Sequence, residues 1–142
     1  MENIIFTNVN KDSEVDINDL YKILKLRSYN ISHSVLPSFE EHKYFVKNNP
    51  YRIWSIIRKD NQIIGTFYLT FENVVGVNLI NPSEKYYIFI IKEIFRKYLP
   101  LKEKKSLISK YFIVNANPSN QKLIKALNSV GMVHIQNTYA QK

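Results

Sequence analysis

The sequence predicts a single domain over residues 1–142, of α/β (α+β) class, with a mixed, mostly antiparallel central sheet flanked by about four helices. Three observations predict it. Strand-length runs rich in β-branched and aromatic residues alternate with stretches whose apolar residues recur at helical spacing. Three of those runs, 51–58, 63–71 and 74–80, follow one another across tight polar turns, as antiparallel neighbours do. Residues 111–132, YFIVNANPSNQKLIKALNSVGM, read as a buried strand, an Asn/Pro/Ser turn and an amphipathic helix closed by glycine. That last unit turns the positive end of a helix toward the carboxyl end of a strand, where open α/β sheets bind anionic ligands.

The elements follow in order. A first strand spans 4–9. Ile17, Leu20, Tyr21 and Leu24 recur at i, i+3, i+4 and i+7, so they predict a first helix with Asp16 as its cap. Ser38-Phe39-Glu40-Glu41 after Pro37 has the spacing of a capping box, and Phe39, His42 and Val46 share the stripe of a second helix that stops at Asn48-Asn49-Pro50. The three-strand meander turns at Asp60-Asn61 and at Glu72-Asn73. Ile88, Ile91, Phe95 and Tyr98 mark a third helix. A fifth strand at 111–115, a fourth helix at 120–130 and a final strand at 132–139 complete the order β-α-α-β-β-β-α-β-α-β.

Composition narrows the function. No apolar run approaches the roughly 20 residues that cross a bilayer, so no membrane partner is expected. The start of the chain lacks a basic segment followed by an apolar stretch, which predicts no secretory leader, and the absence of cysteine fits a reducing cytoplasm. The formal charge of +8 draws an anionic partner such as a phosphorylated cofactor. No interleaved basic and aromatic motif accompanies it, so nucleic acid is not the expected partner. The lysine-rich stretch 97–110 reads as a solvated connector. His33, His42 and His134 have no paired-ligand spacing, and no metal site is expected. GxSxG, Walker and GxGxxG signatures are absent.

The order of elements, and the run from Asn120 through a helix to Gly131 and Met132, resemble the GNAT superfamily of acyl-CoA-dependent N-acetyltransferases over nearly the whole chain. The middle segment DNQIIGTFYLTFENVVGVNLI is similar to that family's central hairpin, in which an Ile-Gly pair opens the third strand, and Ser38-Phe39-Glu40-Glu41-His42 resembles its small-molecule and sugar-nucleotide branches. The resemblance implies acetyl-CoA as co-substrate, a small-molecule amine as acceptor, amino-sugar nucleotides among the candidates, and a homodimer as the assembly to expect. It also implies that the backbone at Asn78, Leu79 and Ile80 faces the thioester and pantetheine, with Asn115 and Asn120 opposite. Lys85, Tyr86 and Tyr87 then stand where the pyrophosphate is received.

Two positions depart from the pattern. The loop ahead of the third helix, 81–87 (NPSEKYY), contains no glycine, and Leu127 stands where many members carry a proton-donating tyrosine. These departures sustain a second expectation, a GNAT-like binding or regulatory module without catalysis. Acyl transfer to an amine requires a neutral amine and a proton donor for the leaving thiolate. Glu40, Glu41, His42, Glu72 and His134 are the candidate bases, of which His42 and Glu72 are carried forward. Glu41 also serves the capping box, and His42 on an apolar stripe equally fits a packed imidazole. Tyr68, Tyr86, Tyr87 and Tyr139 are the candidate donors, with Tyr68 carried forward as catalytic. Tyr51, Trp54 and Tyr68 alternate on strands that either fill the core or floor an acceptor pocket.

Overall fold

The computed structural model describes residues 3–28, 35–104 and 108–141; His33 and residues 105–107 of the lysine-rich connector lie outside them. The described elements run β1 (Ile4–Asn8), α1 (Glu14–Leu26), α2 (Phe39–Lys47), β2 (Tyr51–Lys59), β3 (Gln62–Thr70), β4 (Val74–Leu79), α3 (Glu84–Lys97), β5 (Ile113–Val114) and α4 (Gln121–Ser129). They form one sheet in the order β1-β2-β3-β4-β5. The first four strands pair antiparallel, and β5 joins β4 in parallel.

Strand alternation divides the core between the two faces of this sheet. Ile57, Phe67, Leu69, Val75, Val77 and Leu79 point to one side and are buried with Tyr87, Ile90, Ile91 and Ile94 of α3 and Leu123 and Ala126 of α4. Ile56 points to the other side and is buried with Ile17, Leu20 and Ile23 of α1 and Val46 of α2. Full burial of each such aliphatic side chain stabilises the fold by roughly 1.5–3 kcal/mol, which is what fixes the helices to their faces.

The helices end where their cap chemistry dictates. Ser13, rather than Asp16, caps α1: Ser13 Oγ accepts from the Asp16 amide at 3.2 Å, and Asp16 Oδ2 accepts from the Asn10 amide at 2.8 Å. The carboxylate is thus the third helical residue and not the cap. The capping box at Ser38 and Glu41 forms in both directions. Gly131 takes φ +89° just after α4, and the Met132 amide closes the helix on the Leu127 carbonyl at 3.0 Å.

Two local expectations are corrected. Residues 132–139 form no strand: Val133, Ile135 and Tyr139 are 78%, 69% and 88% exposed. A strand needs a partner edge, and β5 is a two-residue stub that offers hardly any ladder. The stub itself is the second correction, since the apolar run from Tyr111 ends in pairing at Ile113 and Val114 alone. The β3–β4 turn stands where expected, and its Asn73 is fully buried, at φ +67°. Its Nδ2 donates to the Leu101 and Ser109 carbonyls at 2.9 and 2.7 Å, and its Oδ1 accepts from the Leu101 amide at 2.7 Å. The connector after α3 is therefore tied to the sheet through one side chain.

Candidate functional site

The parallel pairing of β4 and β5 stops almost as soon as it starts. Val74 pairs with Ile113 and Val75 with Val114, and the strands then part. The opening forms a narrow cleft of about 530 Å³, its open mouth included, lined by β4 from Val74 to Leu79 and by Arg27, Tyr68, Tyr87, Asn115, Asn117, Asn120 and Leu123.

The ladder on the other edge of β4 fixes what its backbone presents to this cleft. The Ile80 amide donates to the Ile64 carbonyl at 2.9 Å, and Thr66 stands opposite Asn78 and Tyr68 opposite Gly76. In an antiparallel pair such bonds recur at every second residue, so they fall on Gly76, Asn78 and Ile80. The N–H and C=O of Val77 and Leu79 consequently turn the other way, into the opening beyond β5. On that same side of β4 the Ile113 amide donates to the Asn73 carbonyl at 2.9 Å. Of the backbone positions expected to meet a ligand, Leu79 is so directed. Ile80 is not: its amide is bonded to Ile64, and its carbonyl accepts from Ser28 Oγ at 3.3 Å. Asn78 enters through its side chain, which shares a sheet face with Tyr68 and Gly76.

Tyr68 is held across the strand. A methyl group built on Gly76 would lie 2.2 Å from the Tyr68 ring and 2.6 Å from its hydroxyl, so glycine at 76 is what lets the ring lie on β4. On its other side the ring stacks on Tyr51 at 4.2 Å with an interplanar angle of 10°. An irregularity in the β2 register between Tyr51 and Ile53 accompanies this stacking, and Trp54 closes edge-on to Tyr51 at 4.9 Å. Burial pushes the hydroxyls of Tyr68 and Tyr51 above their ordinary values, so both stay protonated at neutral pH.

Arg27 follows α1 directly and is the one formally charged side chain among the described residues lining the cleft. Burial pulls its guanidinium below its ordinary value, and its attraction to the Tyr51 and Tyr68 hydroxyls opposes that pull.

The structure gathers Tyr68, Asn78, Leu79, Tyr87, Asn115 and Asn120 at the cleft. Asn120 also caps α4, accepting from the Leu123 amide at 3.2 Å, while its Nδ2 donates to the Tyr87 hydroxyl at 3.2 Å. Four expected residues stand elsewhere. His42 is buried between α1 and α2 with Nε2 2.9 Å from the Ile17 carbonyl oxygen, a bond that tethers one helix to the other. Glu72 lies in the exposed turn before Asn73. Tyr86 turns toward β2, where the Lys59 ammonium sits 5.2 Å from its ring centre, and Lys85 is exposed on the first turn of α3. The turn before that helix is capped by Ser83, whose Oγ accepts from the Tyr86 amide at 3.3 Å. Lys122 of α4 reaches the same turn, with Nζ 3.4 Å from the Pro82 carbonyl oxygen.

Arg27, Gly76, Val77, Asn117 and Lys122 were not foreseen. The hairpin register, counted from the turn at Glu72-Asn73, is the signal that would have placed Gly76 under Tyr68. Nothing in the periodicity signals Arg27, because its place depends on how the end of α1 packs against the sheet.

No family model and no curated protein matches the sequence. Solved structures do match the fold. An integron cassette protein from the mobile metagenome of V. cholerae superposes with a TM-score of 0.63 at 11% identity, covering 100% of this chain and 94% of that one. AAC(6')-Iy, in complex with the bisubstrate analogue CoA-S-monomethyl-acetylneamine, gives 0.62 at 10% identity over 99% and 98% of the two chains. A possible acetyltransferase from Clostridium difficile 630 gives 0.58 at 13% identity over 99% and 98%. At such identities the likeness is one of fold: a five-stranded, mostly antiparallel sheet with four helices, of the kind found in GNAT acetyltransferases.

Proposed function

We propose that this chain is a cytoplasmic N-acetyltransferase that moves an acetyl group from acetyl-CoA to the amine of a small molecule. The observation that carries the reading is the strand edge laid open by the early end of β5, with the backbone of Val77 and Leu79 directed into it. An extended, amide-bearing arm such as pantetheine satisfies such an edge as a neighbouring strand would. That AAC(6')-Iy, of the same fold, is described with a CoA-linked analogue supports the choice of ligand.

Acetyl-CoA supplies the acetyl group as a thioester. The residues of this chain do the rest. The backbone of Val77 and Leu79 holds the arm, and Asn78, Asn115 and Asn120 border it. Lys122 and Lys85 bring positive charge to the start of α3, where the helix dipole already favours phosphate and no glycine-rich loop is available. Tyr68, which lines the same cleft and is kept protonated by burial, gives its proton to the departing thiolate in this reading. In the balanced reaction a C–S bond breaks and a C–N bond forms, and the proton lost by the amine replaces the one given to sulfur. Among the described residues that line the cleft none carries a carboxylate or an imidazole, and in this reading the amine sheds its proton to water.

A saturating ligand at about 100 times its dissociation constant stabilises the folded state by about 2.7 kcal/mol, on the order of 5–10 °C in the thermal midpoint of a domain this size. Acetyl-CoA is expected to produce that shift, and thiol release is then expected with members of an amine panel. A second reading, a binding module without catalysis, draws on Ser83 Oγ already occupying one amide of α3 and on Glu84 beside it. A midpoint unmoved by acetyl-CoA would select that second reading.

A further inference from the structure

We infer that Tyr51 and Gly76 are positioning residues for the reaction: they clamp the ring of Tyr68 between them, so that its hydroxyl edge alone meets the reactants. The inference rests on the acetyltransferase reading, with Tyr68 as proton donor, and deepens it by naming what holds that donor in place.

The β4 side of the clamp comes first. Gly76 stands opposite Tyr68 in the β3–β4 ladder, on the same face of the sheet. A carbon built on Gly76 would lie 2.2 Å from both Cε2 and Cζ of Tyr68 and 2.6 Å from its hydroxyl oxygen. A carbon in the plane of the ring, outside the Cε2–Cζ bond, would be nearer to the oxygen than to those two carbons. The order here is the reverse, so the built carbon lies over the face of the ring. Tyr68 therefore rests face-down on the β4 backbone, and a side chain at position 76 would lift the ring or turn it away.

Tyr51 closes the other face. Its ring is stacked on Tyr68 with centroids 4.2 Å apart and an interplanar angle of 10°. Because β3 lies between β2 and β4, Tyr51 reaches the ring from the side away from Gly76. The register irregularity between Tyr51 and Ile53 sets the aim of Tyr51, which pairs with Thr70 two residues along β3 from Tyr68. Tyr51 is itself held edge-on by Trp54 at 4.9 Å and by Phe45 of α2 at 5.8 Å, and Trp54 Nε1 donates to Thr66 Oγ1 at 2.9 Å. Tyr68 lines the cleft, whereas Tyr51 stands behind it and acts through it. With both faces covered, the ring is confined to one rotamer and offers its edge to the cleft. A proton donor works only within hydrogen-bond reach of the leaving atom, so confining the ring confines the chemistry.

The test is steady-state thiol release from acetyl-CoA, with the best acceptor of an amine panel, by the unaltered protein and its variants. Tyr51→Leu, which removes the stacked ring, is expected to lower kcat about tenfold while KM for acetyl-CoA stays within about twofold. Tyr51→Phe, which keeps the stack, is expected to bring kcat back to within about twofold of the unaltered protein. Gly76→Ala is expected to lower kcat by about 10²-fold, as far as loss of the Tyr68 hydroxyl does. In the Tyr68→Phe background, Tyr51→Leu is expected to cost less than about twofold more, because the hydroxyl it positions is gone. A merely structural residue would cost the same in both backgrounds. Undiminished kcat in Tyr51→Leu, an equal loss in both backgrounds, or a loss in Tyr51→Phe as large as in Tyr51→Leu would overturn the inference. Full turnover in Tyr68→Phe would overturn it through the donor assignment. Absence of turnover with every amine, together with no stabilisation by acetyl-CoA, would instead overturn the acetyltransferase reading, and this inference with it. The Tyr51 series decides the matter even if Gly76→Ala misfolds.

Discussion

The imidazole of His42 lies buried between two helices, and its Nε2–H, present in one neutral tautomer and in the imidazolium alike, donates to the Ile17 carbonyl oxygen 2.9 Å away. Burial holds its pKa below the ordinary 6.5, with the bond to Ile17 opposing. The unfolded chain takes up this proton near pH 6.5, and the folded chain only at lower pH. Its contribution to stability is therefore complete above pH 6.5 and is lost as pH falls through the lower folded value. Thermal unfolding between pH 7 and pH 5 is expected to show a falling midpoint. His42→Gln is expected to be less stable at pH 7 and flatter over that range; an equal acid slope in the variant would show that another group is responsible. Tyr68 makes a different case. Tyr68→Phe keeps the ring that stacks on Tyr51 and covers Gly76, so the fold is expected to persist. Loss of the hydroxyl alone is expected to lower kcat by about 10²-fold, the usual scale for a positioned proton donor. Undiminished turnover would remove Tyr68 from that role.

Between residue and molecule stands the β3–β4 turn, whose side chain Asn73 anchors a connector some thirty positions away through three bonds to Leu101 and Ser109. Asn73→Ala would leave those backbone groups without their partner and would force a β-carbon residue into φ +67° without the help of an amide side chain. A loss of about 2–4 kcal/mol in denaturant unfolding is expected. Asn73→Gly, which relieves the backbone term only, is expected to recover about 1 kcal/mol of it; equal losses in both would place the whole effect in the hydrogen bonds. At this scale the sequence spoke unevenly. Helices were legible because caps are local: Ser38 and Glu41 specify each other within one turn, and Gly131 marks its stop by itself. The anchoring role of Asn73 was not, since a polar residue in a turn reads as solvated until the connector is seen to cover it. Likewise Val133, Ile135 and Tyr139 alternate as a strand would, but alternation cannot supply the edge that a two-residue β5 lacks.

In the whole molecule, a sheet carries one core under α3 and α4 and another under α1 and α2, and the cleft opens where β4 loses its neighbour. The C-terminal half of this site was readable, because Asn120, Tyr87, Leu79 and Asn78 belong to elements whose order brings them together. The α1 end was not: Arg27 arrives through packing that no local pattern encodes, whereas Tyr68 and its stacking partner Tyr51 were legible from the alternation of their strands. The same holds for charge. Composition fixed the total of +8 but not its placement, which sets Lys122 beside the turn that begins α3. Because that turn lacks glycine, the attraction for a phosphate-bearing donor falls to side chains and the helix dipole instead of a close backbone cradle. Side-chain charges at a surface are screened within about 8–10 Å at ordinary ionic strength and much more strongly at 1 M. The dissociation constant for acetyl-CoA, measured by calorimetry, is accordingly expected to weaken several-fold as salt rises from low to molar concentration. Lys122→Gln is expected to weaken binding several-fold at low salt and to flatten the salt dependence, while leaving the thermal midpoint of the ligand-free chain nearly unchanged. A variant with the full salt dependence would show that the phosphates are held elsewhere, by Lys85 or by the α3 amides alone.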